Sequence, residues 1–259
     1  MDPGFRSPLI DFFRRGEVAH DVRLMAAQGA LAPRAHEQLA LLVMLADDPD
    51  PEIARATAST LEALPEQPLR AFLARGDVPD EMRKFFAARG IDSAGVPASD
   101  TEAPLIDTLA ELADVPEEAA AAADPERKML SSLPVIERIK IAMKGTREQR
   151  GQLVRDSNKL VAAAVLSSPK LTESEVEAFT KMGNVSEDVL RIIAMNRAWT
   201  KNYRVIAGLC RHPKTPPALS MQMLHRLNER DLKMLAIDRN VPEALRVLAR
   251  KIATKAKQG

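Results

Sequence analysis

A chain whose apolar positions recur at one long interval has little freedom, because each recurrence needs an equivalent neighbour to bury against. Here the interval is 42 residues, and it carries Leu190 onto Leu232, Ile193 onto Leu235 and Ala194 onto Ala236. The same step relates Val161, Tyr203 and Leu245, then Ala164, Ile206 and Leu248, then Val165, Ala207 and Ala249. Inside each unit the apolar residues fall three and four apart, the spacing of one helical face. Two helices and their elbow are expected to repeat, since neither can bury its apolar face alone.

The earlier part of the chain carries a different echo. A shift of 60 matches Phe12 with Phe72, Arg15 with Arg75, Gly16 with Gly76, Val18 with Val78, Arg23 with Arg83 and Ala27 with Ala87. Helices are expected near 17–28, 33–46, 50–63, 66–75 and 79–89. Pro33, Pro51 and Pro79 stand at or near their starts, where a missing backbone N–H costs little. Ala, Leu and Met dominate the apolar residues while aromatics reach only 3%, which favours helices over sheets.

The near-neutral total charge hides a division. Residues 1–126 hold 11 basic against 24 acidic side chains, a net −13; residues 127–259 hold 26 against 12, a net +14. Between Gly90 and Glu126 there is no Lys or Arg, and Gly95, Pro97, Pro104 and Pro116 interrupt any long element. That segment reads as an acidic linker, within which Leu105, Ile106, Leu109 and Leu112 could form one side of a short amphipathic helix. The expected organisation is an expression leftover or unstructured start at 1–8, an acidic helical-repeat block at 9–90, the linker at 91–130 and a basic helical-repeat domain at 131–259.

The turns "SSPKLTESEVEAF", "RHPKTPPALSMQML" and "DRNVPEALRVLA" resemble the elbows of HEAT repeats and of the leucine-rich variant repeat. The run "KGTREQRGQLVRDSNKLV", followed by "NRAWTKNY" and "HPKTP", is similar to a group of bacterial α-helical repeat proteins, over roughly residues 135–252. "DDPDPEIARATASTLEAL" is the best such unit of the first half. The resemblance implies an all-α fold, an α-solenoid of HEAT-like helix pairs in two blocks, and brings with it no catalytic residues.

Arg155, Arg197 and Arg239 share the 42-residue interval and are candidates for a ladder of guanidinium groups that grips carboxylates or phosphates. The competing reading has each Arg capping a helix end or pairing with a nearby acid such as Asp156 or Asp238. Lys140, Lys144, Arg147, Arg150, Arg155 and Lys159 form a dense basic stretch, which a merely solvated helix face would also explain. Trp199, flanked by Arg197 and Lys201, is an interface candidate at an elbow, whereas Tyr203 shares its repeat position with Val161 and Leu245 and is expected in the core.

No phosphate-binding loop, nucleophile elbow or zinc-protease signature occurs. A single cysteine, Cys210, and the scattered His20, His36, His212 and His225 show no ligand spacing. No run approaches the roughly 18 apolar residues of a membrane span. The expectation is a non-enzymatic cytoplasmic scaffold with no metal or cofactor, whose basic half recruits an acidic protein partner or its own acidic linker. Nucleic acid is the alternative occupant of that half.

Overall fold

The computed structural model describes residues 7–106 and 130–255. Among the described residues there are fifteen α-helices and no strand. The first six are α1 (Pro8–Arg14), α2 (His20–Ala27), α3 (Ala35–Leu45), α4 (Pro51–Glu62), α5 (Glu66–Leu73) and α6 (Asp80–Ala87). Helix α1 begins within the stretch 1–8 expected to lack structure: Ser7 caps it by accepting the Ile10 N–H at 3.3 Å, and Pro8 takes its first turn. The 60-residue echo is structural, since α1 and α2 correspond to α5 and α6. Arg15 lies over the Phe12 ring at 5.8 Å, and Arg75 over Phe72 at 5.5 Å.

The later helices are α7 (Val135–Lys144), α8 (Arg147–Leu153), α9 (Lys159–Ser167), α10 (Glu173–Phe179), α11 (Glu187–Met195), α12 (Tyr203–Arg211), α13 (Pro217–Met223), α14 (Glu229–Ile237) and α15 (Glu243–Lys255). They fall into three successive units of three helices, so the 42-residue interval encloses three short helices where two were expected. Polar caps start them: Thr146 and Thr172 make reciprocal capping boxes with Gln149 and Glu175, while Asn158, Ser186, Asn202 and Asn228 accept first-turn N–H groups. Successive units meet through α8 on α10, α9 on α11, and α12 on both α13 and α14.

The corner that ends a unit is stapled back to the first helix or turn of the same unit. Ser168 Oγ donates to the Met143 carbonyl at 2.7 Å and accepts the Lys170 N–H at 3.3 Å. One unit later, buried His212 does the same: Nδ1 accepts the Lys214 N–H at 3.1 Å, which leaves Nε2 as the donor to the Met182 carbonyl, also at 3.1 Å. Gly208 lets α12 approach α10, because a Cβ there would lie 2.0 Å from Thr180 Oγ1.

One apolar cluster runs through both halves. Helices α3 and α9 are its most buried elements, with nine of eleven and eight of nine residues inside. Helix α1 packs on both of them, burying Leu9, Ile10, Phe12 and Phe13. The described part of the acidic segment lies on the first half. Ser99 N–H donates to the Ala71 carbonyl at 3.0 Å, and the Ala35 N–H to the Glu102 carbonyl at 3.0 Å. Buried Gln38 accepts the N–H groups of Leu105 and Ile106 at 2.8 and 3.2 Å and donates to the Ile106 carbonyl at 2.7 Å. Leu109 and Leu112 lie outside the described residues.

Glu37, in the first turn of α3, is buried, and its Oε2 finds no hydrogen-bond partner among the described residues. Burial pushes its carboxyl above the usual range, with Glu102 adding to the push and only partial relief from the Ser7 side chain and Arg34. A carboxyl raised in the folded state contributes stability below its ordinary pKa and loses it as pH rises through the raised one. Glu37→Gln should therefore gain stability relative to the parent as pH moves from mildly acidic to mildly alkaline, in paired thermal melts. Leu9→Ala should cost about 2–5 kcal/mol and lower the unfolding midpoint of both halves together, as read by urea titration.

Candidate partner-binding surface

The structure divides the nine sequence candidates into three groups. Arg150 is a correction: it is 1% exposed, and its place is the interior rather than a partner. Nε and Nη2 meet Glu175 Oε1 and Oε2 at 2.8 and 3.0 Å, and Nη1 donates to the Gly145 carbonyl at 2.8 Å. Burial by itself would raise the Glu175 carboxyl, but the Arg150 bonds and those from the Thr172 backbone and hydroxyl outweigh it and hold it below the usual range. Lys144 is half-buried at the end of α7, and its carbonyl accepts Lys170 Nζ at 3.3 Å. Lys159 is exposed but drawn onto Asp188 at 2.8 Å.

Trp199 and Tyr203 exchange their expected places. Trp199 is half-buried and packs against the core, whereas Tyr203 is 38% exposed. The last residues of α8, α11 and α14 are Leu153, Met195 and Ile237, 42 apart, but the caps Asn158 and Asn202 stand 44 apart. Two extra residues enter at the turn that contains a 3-10 helix, Trp199–Lys201. Tyr203 therefore aligns with exposed Lys159, and Val205 takes the buried place of Val161.

The remaining candidates are exposed: Arg147 in the first turn of α8, Lys201 beside Trp199, and Arg155, Arg197 and Arg239. Each of the last three stands two residues past the end of α8, α11 or α14, so the ladder occupies equivalent corners. Among the described residues the Arg155 guanidinium bonds only the Gly151 carbonyl, at 2.9 Å. The acids named as competitors are committed elsewhere: Asp156 pairs with Arg138, and Asp238 Oδ1 accepts the Asn240 N–H.

Two residues missed by the sequence reading complete this edge. Met195 is 69% exposed and Ile237 75%, each two positions before a ladder arginine. Their shared interval was the available signal, but the same interval places Leu153 at 2% exposure, so spacing alone could not mark them as surface.

A groove of about 650 Å³ opens across α10, α12 and α14. Ala207 and Gly208 form its floor; Lys181 bonds Glu177 at 2.6 Å on one wall, and Tyr203 and Arg211 both donate to Asp231 on the other. Burial first, and then the bond to Asp231, raises the Tyr203 phenol, which keeps its proton. The lone thiol lies elsewhere: Cys210 is buried, and burial pushes it up to about 12, far from an attacking thiolate. Among the described residues His20, Asp50 and Glu52 also converge, with Nε2 of His20 3.0 and 3.7 Å from the two carboxylates. Both acids open α4, where the helix N-terminus favours them, and Asp50 caps it.

No family model, curated protein or solved structure matches the chain. Among the described residues no helix is long and apolar enough to cross a membrane. Replacing Arg150 by Met strands a buried carboxylate and should cost about 3–5 kcal/mol in urea unfolding. Arg197→Ala and Arg239→Ala should each stay within about 0.5 kcal/mol of the parent.

Proposed function

We propose that this chain is a non-catalytic α-helical repeat scaffold, a HEAT-like α-solenoid of three-helix units working in a reducing, cytoplasmic setting. Its C-terminal half holds an acidic segment of a protein partner. The observation that carries the reading is the corner strip, where Met195 stands beside Arg197 and Ile237 beside Arg239, all four exposed. A guanidinium fork takes a carboxylate, and an adjacent apolar side chain contributes about 25 cal/mol per Å² it buries. A partner with alternating acidic and apolar residues satisfies both, whereas a phosphate backbone leaves Met195 and Ile237 in water. Stacked helices also present the strip preformed, so little ordering opposes association.

A second reading, nucleic-acid binding, draws on one observation: Arg197 and Arg239 meet no acid among the described residues, in a half of net charge +14. The two separate in one experiment, capture from a cell extract by the full chain and by the double variant Met195→Ser/Ile237→Ser, with and without nuclease. Scaffold function predicts captured proteins that survive nuclease and are lost by the double variant. Capture that vanishes on digestion, and that the serine variant retains in undigested extract, would transfer the proposal to nucleic acid.

A further inference from the structure

We infer a second, independent docking site: the groove over α12 receives an acidic helix from a protein partner. The lining carries three cations, Lys181, Arg204 and Arg211, against two carboxylates, Glu177 and Asp231, so the groove has positive charge to spare. The spare donors are identifiable. Arg204 is 77% exposed and approaches Glu177 only at 3.7 Å, while Lys181 holds that carboxylate at 2.6 Å. Arg211, which also lines the groove, engages Asp231 through Nη2 alone among the described residues, so Nε and Nη1 keep their donors.

Spacing selects the conformation of the occupant. Arg204 and Arg211 are seven residues apart on α12, which is two turns and about 10.5 Å along the axis. Residues seven apart on a partner helix share one face at the same separation. In an extended partner, same-face residues stand about 6.6 or 13 Å apart, and neither matches. Between the two arginines the groove is lined by Ala207, a side chain small enough for a second helix axis to come within about 8–10 Å, while the space beside Gly208 is already taken by Thr180. The Tyr203 ring makes a fixed wall, because its hydroxyl donates to Asp231 and accepts the Asn228 N–H at 3.1 Å. The recognised class is an amphipathic helix with carboxylates at positions i and i+7 and small or apolar residues between them.

The test is fluorescence anisotropy of the full chain with two end-capped, alanine-rich helical peptides of identical composition. One carries glutamates seven residues apart, the other five apart, which throws them onto different faces. The first peptide should bind at least roughly tenfold more tightly than the second. Ala207→Trp, which fills the floor, and Arg204→Glu should each weaken it by roughly tenfold or more. Met195→Ser/Ile237→Ser should leave it unchanged, which separates this groove from the corner strip. Arg204 is too exposed for its replacement to fail through misfolding, and a thermal melt checks the Ala207→Trp fold. Equal affinity for the two peptides, undiminished binding by Arg204→Glu, or loss confined to the corner variant would each overturn the site.

Discussion

The packing of α1 between α3 and α9 is the contact on which the rest of the molecule depends. Helices α3 and α9 are buried around nearly their whole circumference, so each needs cover on more than one side. Seven residues supply it to both at once, through Leu9, Ile10, Phe12 and Phe13. Because α9 also packs on α7 and α11, fixing it against α1 anchors the first of the three C-terminal units, and each later unit is placed by the one before. The acidic segment is held to the same body, since Gln38 of α3 binds the backbone of Leu105 and Ile106. Opposite net charges in the two halves are therefore not what brings them together; apolar burial is.

Two buried carboxylates show how much local geometry decides about a charge. Glu175 meets a guanidinium fork, a hydroxyl and a backbone N–H, and its charged form is favoured in spite of burial. Glu37 has one hydroxyl and a distant arginine, and burial wins. The first arrangement is specified down to a glycine: a Cβ on Gly145 would lie 2.5 Å from the Ile141 carbonyl oxygen, so the turn that aims its own carbonyl at Arg150 admits no side chain. A buried pair of this kind joins α8 to α10 across the boundary between units, and removing one partner costs more than the intact pair contributes, because the other charge is left buried alone.

Helix content and the boundaries of α3 and α4 were legible because apolar periodicity and proline punctuation report local geometry directly, whereas α1 was not among the expected helices. The expected segments 33–46 and 50–63 differ from α3 and α4 by one or two residues at each end. The site was less legible, for two physical reasons. A constant interval of 42 holds for the ends of α8, α11 and α14 but not for the starts of α9 and α12, where the turn before Tyr203 is two residues longer. That slip exchanged the fates of Trp199 and Tyr203. Arg150 was misplaced because a linear run of basic residues does not distinguish the one that points inward; only the partner 25 positions away does.

The cations of the basic half sort by position in the unit. Several meet acids on their own helix or on one packed against it: Arg191 with Glu187, Lys233 with Glu229, Arg211 of α12 with Asp231 of α14, and Lys181, just past α10, with Glu177. Among the described residues Arg155, Arg197 and Arg239, at the corners after α8, α11 and α14, meet no acid, and the neighbouring Asp156 and Asp238 serve as an internal partner and a backbone acceptor. Exposed guanidinium groups thus stand at repeating corners and at the mouth of one groove, as well as at Arg147 and Arg230 on helix faces. A scaffold that must discriminate among acidic partners gains from such sorting, since exposed cations already paired to local acids add little attraction, and the unpaired ones set where a partner can sit.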